Sequence, residues 1–201
     1  MDVQLSQYPD QLRWRLAKNG VFSVKCMYLD IINTSVIPSS KHVWKVKVPL
    51  KIKVFMWFVH KRVILTKDNL ARRNWSGSKR CSFCDHDESI RHLFLDCPMA
   101  KILWRSVQIA FNINPPGSIN MIFGTWLQGI DPVIAKHIRV GVCALLWAIW
   151  MCRNDLVFNR TTNIHFLLII FRATTLIRMW SLLTQTEARE HLVTASIAGR
   201  R

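Results

Sequence analysis

Three thiols and one imidazole fall close together in this sequence, at Cys81, Cys84, His92 and Cys97. Their spacing is C-x2-C-x7-H-x4-C, within the stretch RCSFCDHDESIRHLFLDCPMA from Arg80 to Ala100. Thiolates and imidazoles are the donors that a tetrahedral Zn²⁺ takes. Two Cys separated by two residues grip an ion from one tight turn. A His and a Cys five apart close the other side from a helix end and the loop after it, and Pro98 marks that stop. Three Cys and one His fill all four positions, so the expectation is one structural zinc ion and no open position for a substrate. A redox pair at Cys81 and Cys84 is the competing reading, but it needs a βαβ setting that the flanking sequence does not offer. His86 is a further donor, yet it lies two residues past Cys84 and would strain the site, so it reads as exposed. Asp85, Asp87, Glu88 and Asp96 read as solvated acids that offset basic charge nearby.

The other cysteines, Cys26, Cys143 and Cys152, are scattered. The chain opens MDVQLSQYPD, with no positively charged start and apolar run of a secretory signal. An intracellular, reducing compartment is expected, where clustered Cys reads as metal binding before disulfide.

The elements that must carry this cluster belong to a chain of 201 residues with 28 Lys+Arg, 12 Asp+Glu and a net charge of +16. Half of it is hydrophobic and nine residues are Trp, which excludes a disordered basic tail. The charge is uneven. Residues 41–80 hold twelve basic residues and one acid, Asp68, so this fifth of the chain carries +11 of the +16. A one-signed block leading into a metal site suggests a face for phosphates, with nucleic acid as the partner, RNA or DNA left open. The candidate contacts are Lys45, Lys47, Lys51, Lys53, Lys61, Arg62, Arg72, Arg73, Lys79 and Arg80. The alternative is a solvated face that keeps an apolar core soluble. Trp75 and Phe83 beside the ligands have two readings, stacking on unpaired bases or packing over a small zinc site. Trp57, Trp104, Trp147 and Trp150 sit in apolar runs and read as core.

The expected fold is mainly α: a short N-terminal β-hairpin, a helical zinc-binding subdomain, then a C-terminal helical extension. Leu12, Trp14 and Leu16 alternate with Arg13 and Arg15 before Asn19-Gly20, a hairpin signal. Helices are expected over Lys25–Asn33, from Leu50 to about Ile64, over Lys67–Asn74 behind a Thr66 cap, and over Met99–Ala110. Asn114-Pro115-Pro116-Gly117 is the clearest break. Beyond it, helices are expected over Ile119–Leu127, Pro132–Phe158 and Ile164–Thr186. The apolar window Val140–Cys152 is 13 residues long between two Arg, short of the roughly 20 that span a bilayer, so it reads as a buried helix without a membrane role.

With these residues in place, the chain resembles the zinc-binding domain that follows the reverse transcriptase in plant LINE-type (non-LTR) retrotransposons. The likeness runs through Trp14, Gly20-Val21-Phe22-Ser23-Val24-Lys25 and Tyr28. It continues through Trp44-Lys45 and Val48-Pro49-Leu50-Lys51-Ile52-Lys53-Val54-Phe55-Met56-Trp57. Leu65-Thr66, Asp68, Leu70 and Arg73 follow, then Cys81, Cys84, Glu88, His92-Leu93-Phe94, Cys97, Ala100 and Trp104. Trp147-Ala148-Ile149-Trp150, Arg153-Asn154 and Phe158 resemble the helical stretch ahead of an RNase H domain in such polyproteins. The resemblance implies a zinc-binding domain over 12–105, a helical connector over 117–195 and a frayed tail over 196–201. It further implies a nucleic-acid-handling protein of the nucleus. The expected role is a non-catalytic, zinc-stabilised nucleic-acid-binding module without a small-molecule substrate. The alternatives are a structural zinc module for protein interaction or a non-functional retroelement remnant. No Tyr-x-Asp-Asp motif is present, and only Asp131, Asp155, Glu187 and Glu190 follow residue 105, few for a two-metal nuclease.

Overall fold

The computed structural model describes residues 13–14, 19–23 and 41–180. Two compact units divide the chain, Met1–Ser39 and Ser40–Arg201. In the first, the Trp14 N–H donates to the Gly20 carbonyl at 2.7 Å, and the Trp14 and Phe22 rings meet edge to face at 4.9 Å. Gly20 has φ +71, a conformation that L side chains resist. No strand forms among the described residues, so the expected β-hairpin is not supported. The rest of that segment, and the helix expected over Lys25–Asn33, lie outside the described residues.

The second unit is helical. A short helix α1 (Lys41–Lys45) leads to α2 (Leu50–His60), entered through Pro49. Ile52, Phe55, Met56 and Val59 are buried along α2, the i, i+3, i+4, i+7 stripe of a helix with one face in a core. The helix stops earlier than its apolar pattern suggests because Arg62 turns into the left-handed region at φ +59. Helix α3 (Lys67–Ala71) is also shorter than expected, closing through turns to Asn74 at φ +62. Thr66 stands at its N-cap but its hydroxyl bonds the Asp68 carboxylate instead of the helix backbone.

A π-helical turn over His92–Asp96 precedes α4 (Pro98–Phe111), which starts on Pro98 and ends at Asn112 with φ +53. Helix α5 (Ile119–Phe123) is capped by the Ser118 hydroxyl and ends where Gly124 leaves helical angles. It stops short of the expected Leu127 for that reason. Helix α6 (Pro132–Val157) is the longest of the described residues, with the Asp131 carboxylate accepting from the Val133 and Ile134 N–H groups. Residues 166–180 form α7.

Helix α2 packs against α1, α5 and α6, while the π-helical turn packs against α4 and α6. Val142, Leu145, Leu146, Ile149 and Cys152 of α6 are buried in the same core as Ile52, Phe55, Leu93 and Phe94. Residues before and after the Asn114–Gly117 break therefore share one core. Helix α6 is the one described helix long and apolar enough to cross a membrane by length and composition, and half of its most apolar window is buried inside the fold. Burial there also pushes the Cys143 thiol pKa up to about 12, which leaves it an inert core group.

Candidate metal centre

Backbone pairing builds the first half of the site. The Cys81 N–H donates to the His86 carbonyl at 2.7 Å and the Glu88 N–H to the Lys79 carbonyl at 2.8 Å, folding 79–88 back on itself. Arg80 and Asp87 form an antiparallel bridge at its neck. Cys81 and Cys84 stand at the tip, and the Phe83 N–H donates to the Cys81 Sγ at 3.4 Å. A backbone N–H aimed at sulfur favours the thiolate that a metal needs.

The second half comes from the π-helical turn. In an α-helix, side chains five residues apart point about 140° away from each other. Here the Cys97 N–H bonds the His92 carbonyl at 2.7 Å, the i→i+5 pattern that widens the turn and brings the two side chains toward one face. The Ser89 hydroxyl accepts from the His92 N–H at 3.1 Å and fixes where the turn begins. The Trp104 indole N–H donates to the Phe94 carbonyl at 2.7 Å, locking the turn onto α4.

The result places one donor atom from each of Cys81, Cys84, His92 and Cys97 within 4.8 Å of all the others. Cys84 Sγ lies 3.8 Å from Cys97 Sγ. Two thiolates on one tetrahedral zinc, each about 2.3 Å from it, are separated by about 3.8 Å. Cys84 Sγ and His92 Nε2 are 3.1 Å apart. Cys81 and Cys97 are buried while Cys84 and His92 are half-exposed. Burial, and then the neighbouring His86, hold the His92 pKa below the usual imidazole value, which favours the neutral ligand form. A hydrogen bond with Cys81 holds the Cys97 thiol below its usual value, while the same bond and burial push the Cys81 thiol up. The donor set, spacing and separation fit one zinc ion. His86 is exposed, as expected, with its ring 5.7 Å from that of His92.

One reading of the sequence is corrected. Glu88 is not solvated; it is 1% exposed. Arg153 Nη2 donates to Glu88 Oε1 at 2.6 Å and Arg153 Nε to Oε2 at 3.1 Å, with both side chains almost fully buried. Glu88 Oε1 also accepts from the Lys67 N–H at 2.9 Å, taking the capping role expected of Thr66. The Arg153 guanidinium lies 5.0 Å from the Trp150 ring centroid. One carboxylate thus ties the metal loop, α3 and α6 together.

Residues of the basic block line more than one cleft. Lys45, Lys47, Lys51, Arg62, Arg72, Arg73, Lys79 and Arg80 are exposed, and Lys53 and Lys61 are half-buried. Arg62 and Arg72 line one cleft with Arg91, whereas Lys51 and Arg73 line another with Trp147 and Trp150. Arg80 pairs loosely with Asp85 at 3.8 Å. Of the two aromatic residues near the ligands, Phe83 packs partly buried on the core and Trp75 is 41% exposed, its ring lying against Gly77. Trp104 is core as expected, while Trp57, Trp147 and Trp150 are only partly buried.

Residues 22–104 match the family described as zinc-binding in reverse transcriptase, and this segment contains the four donors. The chain is also 31% identical over 168 residues to an Arabidopsis thaliana protein named "Putative ribonuclease H protein", a match that takes in 77% of this chain. The chain spans about a quarter of that relative's length, 26%. No solved structure matches it. Residues 22–104 thus match a zinc-binding domain of the reverse-transcriptase type, and the cluster inside them is compatible with one zinc ion.

Proposed function

We propose that this chain is a non-catalytic nucleic-acid-binding module of a LINE-type retroelement polyprotein, folded around one zinc held by Cys81, Cys84, His92 and Cys97. The observation that carries the reading is the +11 block over residues 41–80, which leads into the metal loop and leaves eight of its ten candidate contacts exposed. Lys and Arg displayed this way meet phosphates and release counterions. The proposal keeps the expected division into a zinc domain over 12–105 and a helical connector over 117–195, and a nuclear site of action.

The reading without catalysis is supported by what the acids do. Asp131 caps α6. Asp155 accepts from Arg172 at 2.6 Å and Arg160 at 3.4 Å. Glu88 is taken by Arg153. Each of these carboxylates has a structural partner, whereas a nuclease needs several aimed at shared metal ions.

An electrophoretic shift assay at two salt concentrations tests the proposal. Binding is expected at low salt, with an affinity that falls steeply as salt rises. Folded, zinc-loaded protein that shifts no RNA or DNA at low salt would sink it.

A further inference from the structure

We infer that the cleft between α2 and α6 is a stacking site for an unpaired stretch of nucleic acid. The inference rests on the nucleic-acid reading above and names the form recognised. The cleft measures about 490 Å³, within the range of small-ligand sites. Its walls include four aromatic rings, Phe55 and Phe58 of α2 and Trp147 and Trp150 of α6. Each pair is spaced i, i+3, so each lies on one helix face.

Three observations point to the occupant. First, three of the rings are partly open: Phe58 is 40% exposed, and Trp147 and Trp150 are half-buried, while Phe55 is buried behind them. Second, they are held in place. Phe55 meets Trp147 edge to face at 4.9 Å and lies tilted against Trp150 at 6.1 Å. Third, the charged residues lining the cleft, among the described residues, are Lys51 and Arg73, both basic. The Lys51 Nζ lies 5.3 Å from the Trp147 centroid, so a cation stands beside the stacking surface. Fixed aromatic faces beside cations suit a planar base joined to a phosphate. A duplex hides its base faces and offers only the phosphates.

The cleft also differs from what the sequence suggested. Stacking was one of two readings for Trp75 and Phe83 beside the ligands, packing over the zinc site being the other. The structure assembles rings from α2 and from α6, and α6 lies outside the matched segment 22–104. The zinc domain therefore supplies one wall and the helical region supplies the other.

The test uses the full, zinc-loaded chain and two fluorescent probes, an oligo(dT) of about 20 nucleotides and a duplex of equal length. The single strand is expected to bind at least about ten-fold tighter at one salt concentration. Phe58→Ala, at an exposed position, and Trp147→Leu, which keeps an apolar filler, are each expected to weaken the single strand about ten-fold. Both should change duplex affinity less than two-fold. Equal affinity for the two probes, or single-strand binding that survives Phe58→Ala, overturns the stacking site while leaving nucleic-acid binding intact. Neither probe binding at low salt overturns both readings. Acidic phospholipid vesicles that bind the chain and displace the oligo(dT) only in proportion to their charge also overturn the stacking site.

Discussion

The metal loop and helix α6 are held by opposite means. Between Lys79 and Glu88, the buried residues are Cys81 and Glu88 alone, one a metal donor and the other a carboxylate. Helix α6 buries Val142, Ala144, Leu145, Leu146, Ala148 and Ile149 in an unbroken apolar seam. A loop that small cannot offset its conformational entropy with apolar burial, so coordinate bonds and a charged pair must do it. The helix needs neither. The Glu88–Arg153 pair is a place where the two modes meet, because it anchors a polar loop inside an apolar core.

The largest effect should come from removing the metal. Site energy in small zinc domains is folding energy, about 10 kcal/mol or more. A chelator is expected to abolish amide exchange protection over 79–100 while α6 keeps its protection around 142–152. Simultaneous loss in both regions would show one cooperative unit and break the comparison.

Next in size is Glu88→Ala, which leaves Arg153 charged and unpaired in the core. A loss of about 3–5 kcal/mol is expected by denaturant unfolding. Replacing both partners, Glu88→Leu with Arg153→Met, should restore much of that loss. A Glu88→Ala chain as stable as the parent would mean that the buried pair does not join the two regions.

Leu146→Ala tests the apolar side. Leu146 is fully buried, so about 2–5 kcal/mol should be lost to the cavity while zinc stoichiometry stays constant. The smallest change should be Asp131→Ala, about 0.5–2 kcal/mol from the lost cap of α6, with no effect on the metal. Metal loss in either variant would argue that α6 and the zinc loop do not separate as described.

The two regions were also unequally legible in the sequence. The four donors were readable because their spacing is local, and Pro98 and Pro132 marked their helix starts. Helix α2 was readable from its apolar stripe. Helix ends were less so: Arg62 at φ +59 and Gly124 outside helical angles cut α2 and α5 short in ways that residue type does not announce. The π-helical turn was invisible because it depends on one shifted backbone bond. Glu88 and Arg153 are 65 residues apart, and Glu88 sits among Asp85 and Asp87, which are exposed. Nothing local separates the buried acid from its solvated neighbours. The resemblance did place both Glu88 and the Arg153-Asn154 pair among its matching positions, the one signal that could have flagged them. Trp147 and Trp150 read as core because periodicity shows a helix face but not whether a neighbour fully covers it.

The central claim is that one zinc on these four side chains holds the loop together. Elemental analysis of zinc per chain in the parent, Cys84→Ser and Cys143→Ser tests it most directly. The account predicts one zinc in the parent and in Cys143→Ser, and little or none in Cys84→Ser together with loss of structure around 79–100. A parent chain without zinc, or a Cys84→Ser chain that keeps a full equivalent, would contradict it.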